Sequence, residues 1–110
     1  LACERPDLIS GIISYAGVNF KDFIKCNNKT PISVLQIHGT MDDVVKYEGT
    51  EMYPSARETI NYWGGQNGCD KKYVKGPDLV LGEVGNQVQS YNIQTESLNK
   101  CIEGKTLWKR

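Results

Sequence analysis

The densest group of residues able to do chemistry is His38-Gly39-Thr40-Met41-Asp42-Asp43-Val44-Val45, where an imidazole and two adjacent carboxylates flank a glycine turn. Ligands and catalytic groups gather at the carboxyl ends of parallel strands, and this string follows an apolar run. One of the two carboxylates could hold an imidazole in the tautomer that a nucleophile needs. A plainer reading competes with it, since an Asp at a strand-to-loop transition commonly caps a turn with its own carboxylate. His38 is the only histidine. At the end of a buried strand it reads as a structural ring bonded to nearby backbone.

A hydrolase built on such an acid also needs a serine on a G-x-S-x-G turn and a histidine that can reach it. Ser10, Ser14, Ser33, Ser55, Ser90 and Ser97 all lie outside that pattern, and His38 stands only four residues before Asp42. No cysteine has an adjacent base in sequence, so a thiol nucleophile is no better supported. Cys3, Cys26, Cys69 and Cys101 are widely spaced, with no C-x-x-C pair. A metal site would need ligands from four distant segments, and no metal is expected. An even number of separated cysteines favours two disulfides over four buried thiols, and thereby an oxidising compartment; the pairing has three possibilities. The sequon Asn28-Lys29-Thr30 is compatible with secretion.

The elements that must position these residues follow from periodicity. Leu1 to Arg5 reads as the tail of a helix cut by Pro6, so the chain begins within an element. Ile9 to Ala16 carries apolar residues on both alternating sets and reads as a strand buried on both faces. Phe20 to Thr30 is a polar connection. Ile32 to His38 is a second strand, ended by Gly39, and Gly39 to Gly49 is a loop. Ser55-Ala56-Arg57-Glu58 matches the S-x-x-E capping box. Ala56, Ile60 and Trp63 then share one helix face, with Gly64-Gly65 and Asn67-Gly68 as the stop. Gln87 to Ile93 and Lys105 to Lys109 read as two late strands. This order gives an α/β fold with a mostly parallel sheet and flanking helices.

The 110 residues allow a single domain. Thirteen basic against 13 acidic side chains, with no basic run, leave no electrostatic footprint for nucleic acid or an anionic membrane. The longest apolar stretch, Leu8 to Val18, is broken by Ser10, Gly11 and Ser14 and falls short of the ~20 residues that span a bilayer.

Several strings together carry a resemblance. Leu1-Ala2-Cys3-Glu4-Arg5-Pro6-Asp7-Leu8, Tyr15-Ala16-Gly17, Ile37-His38-Gly39-Thr40-Met41-Asp42 with Val44-Val45 and Tyr47-Glu48-Gly49, Pro54-Ser55-Ala56 with Glu58-Thr59, and Asn67-Gly68-Cys69 occur in this order along nearly the whole chain. The combination resembles the secreted polyhydroxybutyrate-depolymerase and feruloyl-esterase-like α/β-hydrolases. The resemblance implies that residues 1–110 form a single partial domain, the C-terminal half of the catalytic fold. It places the triad acid at Asp42, leaves Asp43 without a role, and sets the catalytic serine just upstream of Leu1. The family's histidine follows a late strand similar to Leu107-Trp108-Lys109-Arg110, so this chain alone is expected to be inactive. The resemblance also implies a Cys69–Cys101 bridge, leaving Cys3 with Cys26, an extracellular location, an ester substrate and no cofactor. Lys46 stands where relatives carry Pro, which is expected to loosen the acid loop. Gly64-Gly65 stands where they carry helix formers, and costs about 1 kcal/mol per Gly relative to Ala, which predicts an early helix end.

Two other readings belong to different classes. Half of a parallel sheet exposes the Ile9 to Ala16 strand as an apolar edge, so the chain is expected to act as a binding or assembly module pairing with a second copy or a complementary fragment. An unrelated small disulfide-stapled fold would instead pair Cys3 with Cys101.

Overall fold

The computed structural model of the chain describes residues 1–19, 21–22, 26, 30–80, 92–93, 96–98 and 107–109. The strands are β1 (Gly11–Tyr15), β2 (Ser33–Ile37), β3 (Tyr73–Lys75), β4 (Leu79–Val80), β5 (Asn92–Ile93), β6 (Glu96–Leu98) and β7 (Leu107–Lys109). The helix is α1 (Ala56–Gln66). Five strands form one sheet in the order β1-β2-β7-β6-β3, and β4 pairs with β5 separately. The protein is thus an α/β fold with α1 packed against β2 and β7.

The sheet is mixed rather than mostly parallel. β1 runs parallel to β2 and β2 to β7, whereas β6 is antiparallel to both β7 and β3. For β6 and β7 the reason lies in the connection length. A parallel return needs a crossover of a dozen or more residues, and only residues 99–106 separate β6 from β7. Flanking helices were expected in the plural, but α1 is the only α-helix among the described residues.

β1 lies at the edge of the sheet, where the half-sheet reading put it, but it is not buried on both faces: Gly11, Ile13 and Tyr15 are exposed while Ile12 and Ser14 are half-buried. Only one of its two alternating faces has anything to pack on. β2 alternates more fully. Ile32, Val34, Gln36 and His38 are buried on one face and Ser33, Leu35 and Ile37 are half-buried on the other. The core beneath that buried face joins Ile32 and Val34 to Ala2, Cys26, Ile60 and Trp63.

The start of α1 follows its sequence signal. Ser55 Oγ accepts from the Glu58 amide at 3.0 Å, and Glu58 Oε2 accepts from the Ser55 amide at 2.7 Å. The helix does not end at Gly64-Gly65 but runs on to Gln66. Its stop is the second of the two expected pairs, Asn67-Gly68. Gly68 adopts φ 62°, and the amides of Gly68 and Cys69 donate back to the carbonyls of Gly65 and Gly64. That pair of bonds is a Schellman motif, for which a glycine with positive φ is suited.

At the amino end the expected helix tail is a single turn. The amides of Glu4 and Arg5 donate to the Leu1 carbonyl, and Pro6–Leu8 then form a short 3-10 turn. Cys3 is bonded to Cys26, with Cα atoms 4.6 Å apart, which removes the Cys3–Cys101 pairing. Cys69 is also disulfide-bonded. Its expected partner Cys101, like most of the 20–30 connection and of the Gln87 to Ile93 segment, lies outside the described residues.

Candidate functional site

Residues 39–49 leave the carboxyl end of β2 and return to the start of α1, where the Ala56 amide donates to the Tyr47 carbonyl at 2.9 Å. Gly49 closes this loop with φ 74°. A Cβ there would stand 2.6 Å from the Ser55 nitrogen and 2.7 Å from the Pro54 carbonyl carbon, so glycine is required by both torsion and space. Lys46 does not leave the loop unbraced. Its amide donates to the Tyr53 hydroxyl at 3.0 Å, and its carbonyl accepts from the Gly49 amide at 2.9 Å.

Asp42 sits at the turn. Its Oδ1 accepts from the amides of Val44 and Val45, both at 2.9 Å. These two bonds, Val45 first and Val44 second, hold the carboxyl below the usual carboxylate range, so it is ionised at neutral pH. Oδ2 makes no hydrogen bond among the described residues, and the side chain remains 21% exposed. The local capping reading and the orienting-acid reading therefore fall on different oxygens of one carboxylate. Asp43, the next residue, is exposed.

His38 behaves as the structural ring that its position suggested. Its side chain is fully buried, and Nε2 lies 2.6 Å from the Val45 carbonyl. The separation from Nε2 to Asp42 Oδ2 is 3.8 Å, beyond hydrogen-bonding distance. Gln36 Nε2 approaches Nδ1 at 3.3 Å, and the Tyr47 ring meets the imidazole edge-on at 5.7 Å. With both nitrogens engaged and no exposed edge, His38 cannot serve a substrate as a base.

Val45 and Tyr47, which fall within the acid-loop strings but were given no role there, belong to this assembly, and so does Gln36, to which no motif drew attention. The available signal was period two. Ile32, Val34, Gln36 and His38 share one face of an otherwise apolar strand, which puts an amide beside the imidazole inside the protein.

The serines offer no alternative nucleophile. Ser55 caps α1, Ser97 is buried, and none of the described serines has an available imidazole, because both nitrogens of the one histidine are taken. Ser90 lies outside the described residues. No group of three or more His, Cys, Asp or Glu among the described residues could hold a metal ion. No helix among them is long and apolar enough to cross a membrane. A cavity of about 460 Å³ between β1, β2 and α1 is lined by Ile12, Ser14, Val34, Gln36, Thr59 and Trp63, among others. Its polar groups are already spent in part, since Thr59 donates to the Ser55 carbonyl at 2.9 Å.

No family model matches the sequence, and no curated protein matches it.

Proposed function

We propose that this chain carries the acid arm of a secreted serine carboxylesterase related to the polyhydroxybutyrate-depolymerase and feruloyl-esterase-like α/β-hydrolases, with Asp42 as the triad acid. The carrying observation is the division of labour within that carboxylate. A triad acid must be ionised, fixed in orientation, and left with one lone pair for the Nδ1–H of the catalytic imidazole. Asp42 is held at Oδ1 by two amides and uncommitted at Oδ2, at the carboxyl end of a parallel strand. Its disulfide-bonded cysteines suit an extracellular location.

The catalytic serine and histidine must come from sequence other than these 110 residues, so the chain alone does not turn over esters. In the completed enzyme, serine attacks the ester carbonyl, histidine takes its proton and returns it to the leaving alcohol, and water then releases the acyl group. No metal or organic cofactor enters that sequence. Polyester, feruloyl-polysaccharide and acetyl-xylan esters all fit this chemistry.

Hydrolysis of a p-nitrophenyl ester tests the proposal, with the chain alone and with the chain completed by the segments bearing serine and histidine. Only the completed protein should be active. Asp42→Asn should lower its kcat on the order of 10⁴-fold, and Asp43→Asn should change it little. Full activity of the Asp42→Asn protein would refute the assignment.

A second reading, a binding or assembly module, is favoured by one observation. Edge strand β1 exposes Ile13 at 73% and Tyr15 at 80%, which suits pairing with a second copy or a complementary fragment. Light scattering that finds only monomer at high concentration would remove it.

A further inference from the structure

The Asp42 carboxylate is fixed by the amides of Val44 and Val45, and Val45 is fixed in turn from its carbonyl side. That carbonyl lies 2.6 Å from His38 Nε2, closer than either amide lies to Oδ1. A carbonyl oxygen has no proton to give, so Nε2 carries the hydrogen and Nδ1 of the neutral ring is an acceptor. The network supplies its donor. Gln36 Nε2 lies 2.8 Å from the Gly17 carbonyl, which can only accept, and 3.3 Å from His38 Nδ1. The Gly17 bond sets which end of the Gln36 amide is nitrogen, and that nitrogen supports at Nδ1 the tautomer that the Val45 carbonyl requires at Nε2. A continuous series of donors and acceptors therefore runs from the loop after β1, through β2, to the carboxylate.

Gln36 is an unfavourable choice on packing grounds alone. It is fully buried in β2, and its Oε1 has no hydrogen-bond partner among the described residues. An unpaired buried acceptor is destabilising, and an apolar side chain of similar volume would fill the same space without one. What Gln36 contributes that an apolar residue cannot is its pair of N–H donors, and both are used.

We infer that Gln36 and His38 are positioning residues for Asp42: Gln36 holds His38 as the Nε2–H tautomer, and His38 holds Val45 so that two amides converge on Oδ1 and leave Oδ2 for the catalytic imidazole. The catalytic consequence rests on Asp42 being the triad acid, whereas the positioning itself can be read without any activity. Neither residue touches substrate. The Tyr47 ring packs against the imidazole and limits its movement.

The test is an NMR titration of the Asp42 carboxyl carbon in the intact chain, together with the ring-nitrogen shifts of His38. The native chain should show one neutral Nε2–H tautomer and an Asp42 midpoint below the usual carboxylate range. Gln36→Met, which keeps the volume and removes both donors, should free the Nδ1 side of the ring, changing its nitrogen shift, and move the Asp42 midpoint upward. His38→Phe should move it further, and His38→Gln, whose amide can again donate to the Val45 carbonyl, should recover part of the shift. In the completed enzyme, His38→Phe should lower kcat by up to about a hundredfold with KM unchanged. If His38→Phe does not fold, the Gln36→Met titration decides. An unmoved Asp42 midpoint in a folded variant lacking the donors overturns the inference, whatever the enzyme does. Moved midpoints, in a completed enzyme that Asp42→Asn leaves fully active, uphold the positioning and overturn the esterase reading instead.

Discussion

Asn67 offers the sharpest test of how this fold is held together. It is fully buried at the C-cap of α1, and its side-chain amide meets the backbone of Ile32 just ahead of β2. The Ile32 amide donates to Asn67 Oδ1 at 3.1 Å, and Asn67 Nδ2 donates to the Ile32 carbonyl at 2.6 Å. One side chain thus stands in for a neighbouring strand. Asn67→Ala leaves both backbone groups of Ile32, itself 1% exposed, without partners. Each orphaned buried group costs about 1–3 kcal/mol, so the loss is about 2–6 kcal/mol, toward the lower end if water enters the gap. A chain of this size is stabilised by roughly 5–15 kcal/mol in total, so the loss is easily measured.

Urea unfolding of the oxidised protein, followed through the fluorescence of buried Trp63, gives the number. Asn67→Asp separates hydrogen bonding from packing. The new carboxyl can accept from the Ile32 amide, but it turns an anionic oxygen toward the Ile32 carbonyl. Burial raises the folded pKa of such a carboxyl above its unfolded value. Its stabilising contribution is therefore present in full below the unfolded value and lost as pH rises through the folded one. At neutral pH the Asp variant should be less stable than the Ala variant, and the order should reverse in acid, where the protonated carboxyl donates. An Ala variant within about 0.5 kcal/mol of the native protein, the range of surface substitutions, would refute the reasoning. So would an Asp variant whose stability does not vary with pH.

Other perturbations have defined outcomes. Gly49→Ala must place a Cβ against the Ser55 nitrogen at φ 74° and should cost about 2 kcal/mol or more in denaturant unfolding. Ser55→Ala removes half of the capping box and should cost about 1 kcal/mol by the same assay. Glu58 is held below its ordinary pKa by the Ser55 amide and then the Ser55 hydroxyl, so its contribution to α1 is present above the unfolded carboxyl value. That contribution is lost as pH falls through the lower folded value, and Ser55→Ala should flatten the acid limb of the thermal unfolding profile. Ile13→Lys on the exposed edge should change monomer stability by less than about 0.5 kcal/mol while lowering any concentration-dependent association seen by light scattering.

What could be read from the sequence was local, and what could not was relational. The capping box at Ser55 and Glu58, the strand through Val34 and the loop after Gly39 are each specified by residues a few positions apart. The exposure of Ile13 and Tyr15 depends instead on which strand lies beside β1, and an Ile-rich run looks the same at an edge as at a sheet centre. Asn67-Gly68 was legible as a stop for α1, but its precedence over Gly64-Gly65 depends on the bonds that Gly68 and Cys69 return to Gly65 and Gly64. The antiparallel pairing of β6 with β7 was not legible, because no strand was expected at Glu96–Leu98. At the acid loop, spacing alone set an orienting Asp against a turn-capping Asp. The two oxygens of Asp42 made those alternatives compatible.

Most of the strings on which the proposed kinship rests have a structural task that explains them without any chemistry. In Tyr47-Glu48-Gly49, the glycine answers a positive φ and a close approach to Ser55. In Asn67-Gly68-Cys69, the asparagine secures Ile32, the glycine ends α1 and the cysteine is cross-linked. His38 and Gln36 bind each other and the backbone. Even Oδ1 of Asp42 is a turn cap. The same accounting leaves Asp42 Oδ2 without a hydrogen bond among the described residues, on a carboxylate that the amides of Val45 and Val44 hold below the usual range. An Asn at position 42 would keep the Oδ1 acceptor, and with it both amide bonds, while presenting an amide nitrogen where the carboxylate has Oδ2. If the loop served only the fold, Asp42→Asn would therefore lose only the charge-assisted part of the two amide bonds, a small cost in stability, and leave hydrolysis by the completed enzyme unchanged. If Oδ2 exists to orient an imidazole, the variant should fold as the native chain does and lose hydrolysis in the completed enzyme.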